Sequence, residues 1–299
     1  MHPQALRHPS DHRTWAEIDL GAVAQNVRSI AACVGPDTMV MPLVKADAYG
    51  HGAVNIARAA IPAGAKRLGV ATVAEGEELR AAGVTVPIQV IGTCLPEEIG
   101  RALEADLILS LHEAYIASLV AIAARELGKT AVVHMKIDTG MGRLGILPEE
   151  AAHTALFIQE LPNIELEGVF MHFAEATDEI YSHQQMERFN RACAELEHAG
   201  ISGLLRHAAS TVPAILYPQS RYEAVRPGIG LYGIACPAWL HARLELKPVL
   251  SWRAVIIQTK DYPHGSNLGY NRTFTTRRPT RAAILPVGYA DGYWRQWSN

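Results

Sequence analysis

The chain has 299 residues, of which 49% are hydrophobic and 19% charged, with a formal net charge of −3. That length holds one large domain with a sizeable core, or one domain and part of another, and the lack of a basic tail or stripe argues against a nucleic-acid partner. Cys33, Cys94, Cys193 and Cys236 lie far apart with no CxxC pair, so neither a zinc knuckle nor a redox dithiol is indicated, and reduced thiols fit a cytoplasmic location. The opening MHPQALRHPSDHR lacks the apolar core of a secretory signal. No apolar run approaches the roughly 20 residues of a membrane span.

In chain order, short β-branched runs alternate with longer amphipathic stretches. Strands are expected at 39–45, 68–72, 88–91, 106–109, 131–137, 166–172, 204–208 and 223–226. Helices are expected at 74–82, 96–104, 112–127, 148–160 and 182–199. LPEE at 95–98 and LPEEAA at 147–152 put proline and two acids where a first helical turn accepts them. Strands alternating with helices in this way predict an α/β fold, a (β/α)8 TIM-like barrel, with a doubly wound open sheet as the alternative. After residue 247 the texture turns to β-branched runs and turn residues, the start of an all-β C-terminal domain that is incomplete at Asn299. The expected organisation is an N-terminal segment 1–18 packing with the β domain, a barrel over 19–245 and a partial β domain over 246–299.

Lys45 closes the apolar run MVMPLVK, where a barrel gathers its functional groups. It reads either as a lysine snorkelling at a strand end or as a Schiff-base lysine with a partly desolvated amine. In HMKIDTGMGRLG, 134–145, the period of two puts His134, Lys136 and Asp138 on one face, and a glycine turn delivers Arg143. Three ionisable groups on one face need partners; a polar turn after an edge strand is the bland alternative. His172 ends the run GVFMH; a lone histidine there is more often structural than catalytic, and the spacing to His183 gives no metal site. Ser210 and Thr211 precede a short helical run, as N-caps do. Arg226 ends a strand, and Gly228, Ile229 and Gly230 follow Pro227 at an expected helix start. Glycine nests and helix starts bind phosphate, and late barrel strands are where barrels place it. Tyr289 in LPVGYADGYWR reads, alone, as an aromatic near a hairpin tip.

Taken together, RTWAEIDLGAVAQNV (13–27), PLVKADAYGHG (42–52), HMKIDTGMGRLG, RPGIGLYG and GYADGYWR resemble the alanine racemases, from about residue 13 to the end of the chain. The resemblance implies pyridoxal 5'-phosphate as cofactor and a homodimer with active sites shared between chains. It implies that Lys45 holds the cofactor covalently, that Tyr49, Ser210, Gly228 and Ile229 bind its phosphate, that His172 lies against its ring, and that Arg226 and Arg143 face the ring nitrogen and the phenolic oxygen. Lys136 is carbamylated in many relatives. Lys45 and the partner chain's Tyr289 would be the two catalytic bases, one for each face of the alanine Cα. A racemase for serine or a broader set of amino acids, or a truncated chain that binds cofactor without turnover, are the alternatives. Ala209 stands where relatives usually carry Asn, Asn271 where Gly is expected, and relatives continue for many tens of residues past Asn299.

Overall fold

The computed structural model describes residues 12–234 and 242–297. Contacts divide the chain into two units, Asp19–Val249 and a second formed by residues up to Ile18 and from Leu250 onward. After β1 (Thr14–Ile18), which belongs to the second unit, the first runs α1 (Leu20–Val34), β2 (Met39–Val40), α2 (Lys45–Gly50), α3 (Ala53–Ala60), β3 (Leu68–Val70), α4 (Val73–Ala81), β4 (Ile88–Val90), α5 (Ile99–Glu104), β5 (Leu107–Leu111) and α6 (Ala114–Glu126). It continues with β6 (Ala131–Lys136), α7 (Ala151–Glu160), β7 (Ile164–Phe170), α8 (Glu179–His198), β8 (Leu205–His207), α9 (Thr211–Leu216) and β9 (Ala224–Val225).

The eight strands β2 to β9 form one parallel sheet in the order β2-β9-β8-β7-β6-β5-β4-β3. Its two ends meet. Leu43, just past β2, bridges Gly69 of β3 in parallel, and the Val44 and Gly69 N–H groups donate to Gly69 O and Pro42 O, each at 2.9 Å. Gly69 permits this, since a Cβ there would overlap the Leu43 side chain. The (β/α)8 barrel expected from the alternation is therefore the observed fold. Its first strand is shorter than expected, Met39–Val40 rather than 39–45, because Pro42 has no N–H to give the ladder.

Helices pack their apolar stripes on the ring, each fully buried Leu, Ile or Val contributing about 1.5–3 kcal/mol. α1, not expected from the alternation, starts at Asp19, whose Oδ1 accepts the Ala22 N–H at 2.9 Å, and buries Val23, Val27 and Ile30. Its Asn26 is fully buried. The Asn26 amide donates to Leu231 O and Lys247 O at 3.0 and 2.8 Å and accepts the Lys247 N–H at 2.7 Å. Three bonds from one side chain thus pin the segment that follows β9.

In the second unit β1 pairs antiparallel with β10 (Leu250–Ala254), β11 (Gln258–Tyr262) with β14 (Thr280–Ile284), and β12 (Asn267–Leu268) with β13 (Phe274–Thr275). GYADG is not a hairpin: Tyr289–Asp291 is a 3-10 turn, closed by the Gly288 N–H on Asp291 Oδ2 at 2.9 Å and by Gly292 at φ 83°. Cys33, Cys94 and Cys193 are free thiols; Cys236 lies outside the described residues. Among the described residues no helix is long and apolar enough to cross a membrane.

Candidate active site

Lys45 opens α2 rather than ending a strand. Ala46, Asp47, Ala48 and Tyr49 all have φ between 50° and 56°, so this single turn is left-handed and built without glycine. Such a backbone costs about 1–2 kcal/mol per residue, and persists only where its surroundings over-determine it. They do so here. Glu75, in the capping box that starts α4, turns its second oxygen to the Ala46 N–H at 2.8 Å. The Asp47 carboxylate accepts the Ala53 N–H at 2.7 Å. The turn half-buries Lys45 and sets its Nζ 6.0 Å from the centre of the Tyr49 ring. Tyr49 in turn lies 4.9 Å, centre to centre, from Tyr232, whose hydroxyl donates to Leu43 O.

The carboxyl ends of β6 and β9 supply the other cations, and that of β7 a histidine. Lys136 is buried at the end of β6, as the period of two requires. Burial, then Arg143 and Arg226, push its amine down to about 8 against the opposing pull of Asp138. Asp138 cannot neutralise this cluster fully. Its Oδ1 accepts the N–H groups of Gly140, Met141 and Gly142 at 3.0, 2.8 and 3.1 Å, and its Oδ2 that of Arg143 at 3.2 Å. This turn fixes the backbone of Arg143, whose side chain is exposed. His172, past β7, reports the local field. Burial, then Arg226, Lys136, Arg143 and Lys45 in that order, hold its imidazole down at about 3. The surrounding positive field thus favours a neutral His172, with Arg226 Nη2 3.4 Å from its Nδ1.

Arg226, only 2% exposed, follows β9. Nη1 donates to His207 O and Nδ1, each at 2.7 Å; Nη2 donates to Met171 O at 2.6 Å and Ala208 O at 2.9 Å, with His172 Nδ1 at 3.4 Å. None of these bonds uses Nε. Burial brings the guanidinium down to about 9, still charged at neutral pH.

Beside it lies a cradle of unused donors. Ser210 stands at the N-cap of α9, but its hydroxyl caps nothing, contrary to the expected N-cap role. Thr211 Oγ1 accepts the Gly230 N–H at 3.1 Å. Among the described residues the N–H groups of Gly228 and Ile229 donate to nothing, and they open a 3-10 turn rather than an α-helix. The Tyr49 hydroxyl closes over Gly228.

Lys45, Tyr49, Lys136, Arg143, His172, Ser210, Arg226, Gly228 and Ile229 thus all belong to the barrel unit. Tyr289, 57% exposed, belongs to the other, with Arg295 over its ring at 5.7 Å. The sequence reading did not single out Arg67, Glu167 or His207. The signal was weak: each is a polar residue at or next to a strand, but β7 also carries Glu165 and β8 Arg206.

Fold and site together define a barrel enzyme with cationic side chains and free N–H donors gathered at the carboxyl ends of its strands. The family model described as alanine racemase, N-terminal domain, matches residues 18–236, and that of the C-terminal domain residues 249–299. An alanine racemase of Methanococcus maripaludis is 40% identical over 292 residues, covering 96% of this chain and 78% of the relative. The alanine racemase structure from Clostridium difficile 630 superposes with a TM-score of 0.87 at 33% identity, over 95% of this chain and 75% of that one. That from Streptomyces lavendulae gives 0.86 at 36% identity, over 96% and 76%. The chain belongs to the alanine racemase family.

Proposed function

We propose that the protein interconverts L- and D-alanine with pyridoxal 5'-phosphate, as a cytoplasmic homodimer whose sites draw on both chains. The observation that carries this reading is the set of donors that serve no group of the protein, at the ends of the late strands, beside buried Arg226 and its neighbour His172. The residues fit such a cofactor. Arg226 Nε, the Ser210 hydroxyl and the N–H groups of Gly228 and Ile229 are all unpaired, as an anion and a ring acceptor require.

When bound, pyridoxal phosphate would supply the electron sink that makes the α-proton of alanine removable. The chain's residues would do the rest. Lys45 would hold the cofactor through its amine and then exchange a proton on one face of Cα. Tyr289 of the partner subunit would serve the opposite face. Tyr49, Ser210, Gly228 and Ile229 would bind the phosphate, and His172 would lie against the ring. Arg143 would position the phenolic oxygen. Arg226 keeps its own proton, so a nitrogen facing it stays unprotonated. Lys136, with its amine near 8, has a large neutral fraction in mildly alkaline solution and is the proposed site of carbamylation. The anion formed there would sit against Arg143.

Two measurements test the reading. Incubation with pyridoxal phosphate should give a visible absorption band that borohydride bleaches and Lys45→Ala abolishes. A chiral assay starting from L-alanine should show D-alanine. A band without D-alanine rejects racemase activity; no band rejects the cofactor assignment. Tyr289→Phe should keep the band and slow proton transfer on one face only.

A further inference from the structure

Inside the barrel, below the site, a file of polar side chains runs from Arg226 to a carboxylate. His134 and His207 have no exposed surface. Arg226 Nη1 meets His207 Nδ1 at 2.7 Å, His207 Nε2 meets His134 Nδ1 at 2.8 Å, and His134 Nε2 meets Glu167 Oε2 at 2.7 Å. Arg67 closes the file with a two-pronged pair to Glu167, at 2.7 and 2.8 Å.

The donors fix the protons. A guanidinium only donates, so His207 Nδ1 must accept, and the single ring proton of His207 must sit on Nε2. That proton points at His134 Nδ1, which must accept in turn, leaving the His134 proton on Nε2, aimed at Glu167. Arg67 Nη1 also comes within 3.1 Å of His134 Nε2. Both are donors in this arrangement, so that contact is a shared approach to Glu167. The rings have no freedom to turn. Phe170 stacks on His207 with centres 4.8 Å apart and planes 4° from parallel, and a Cβ on Gly168 would stand 2.6 Å from His134 Cε1. Burial favours the neutral form of both imidazoles. Burial alone would raise the Glu167 carboxyl, but the bonds from His134 and Arg67 outweigh it and hold it at about 2.

We propose that His207, His134 and Glu167 are positioning residues for the reaction: a single-tautomer relay through the barrel that locks the plane of Arg226 and thereby the direction of its Nε–H. Backbone carbonyls at Met171, His207 and Ala208 hold Arg226. The relay adds His207 Nδ1 at Nη1, and anchors a buried cation without placing a carboxylate beside the site. The relay gives the strand histidine of HMKIDTG a task, which its place on the Lys136 face alone does not.

The inference rests on the proposed function, and its test separates the two. Long-range nitrogen–proton NMR of the cofactor-loaded protein, labelled at histidine, should show His134 and His207 as neutral Nε2–H tautomers from pH 6 to 8. A protonated ring, or an Nδ1–H tautomer at either position, overturns the relay. His134→Phe should lower kcat about tenfold with KM changed less than about twofold, the loss of a buried network bond felt through Arg226. His134→Gln, which can accept from His207 and donate to Glu167, should recover at least half of the kcat. Equal losses in the two variants reject the relay even if both fold. A wild-type chain that makes no D-alanine instead rejects the functional reading, whatever its tautomers.

Discussion

The Tyr49 hydroxyl rests against Gly228 so closely that a Cβ on Gly228 would stand 2.5 Å from it. Glycine is therefore required there by space rather than by φ, which is −106°. Gly228→Ala must push Tyr49 away from the cradle. Overpacking of this kind costs about 1–3 kcal/mol, so affinity for pyridoxal phosphate should fall about 10- to 100-fold by absorbance titration. Unchanged affinity would remove the phosphate from this loop.

Lys136 should make stability depend on pH. Its amine titrates near 8 in the folded chain, against about 10.4 in an unfolded one. Between these values the unfolded chain binds the extra proton, so stability rises with pH across that window. The cost of burying a charged Lys136 is complete below about 8. Lys136→Met should thus raise the Tm of the cofactor-free protein at pH 6.5 and give little gain near pH 10. Scanning calorimetry at the two pH values checks this, and an equal gain at both contradicts it.

A site shared between chains can be tested by complementation. Lys45→Ala and Tyr289→Phe homodimers each lack a base in both sites. A mixed dimer keeps one site with Lys45 and Tyr289 intact. Random reassembly of equal amounts, followed by an assay with D-alanine detection, should restore about a quarter of wild-type turnover. Activity no greater than the average of the two parents would place Tyr289 in its own chain's site or in none.

The left-handed turn predicts a stabilising glycine. Ala46 sits at φ 51° and is exposed. Ala46→Gly removes about 1–2 kcal/mol of backbone strain and adds about 0.4–1 kcal/mol of unfolded-state entropy. The net gain should be about 0.5–1 kcal/mol in urea unfolding. A loss would mean that the turn is not left-handed in solution.

The alternation of apolar runs was enough to predict eight strands and a barrel, because a strand buried on both faces leaves a continuous hydrophobic signature. The period of two likewise put His134 and Lys136 on one buried face. Other features escaped for physical reasons. The turn at Ala46–Tyr49 has no sequence signal, since its residues lack the glycine that marks positive φ; a tertiary bond from Glu75 and a local one from Asp47 to Ala53 hold it. Pro42 interrupts a run that composition alone reads as one strand. Glu167 looked like an exposed position within a strand and Arg67 like a charge flanking one; the pairing of β6 with β7 brings the first against His134 and only the closed ring brings the second.

Barrel closure has a consequence for biosynthesis. Met39 pairs with Ala224, and Leu43 reaches both Pro227 and Gly69. The segment bearing Lys45 therefore waits, unsupported on one side, until the ribosome has delivered nearly the whole barrel unit. Contacts so distant in sequence form slowly. A nascent chain stalled before residue 224 would display Lys45 without Arg226, Gly228 and Ile229, so under the proposed function competence to bind the cofactor should arrive abruptly, late in synthesis.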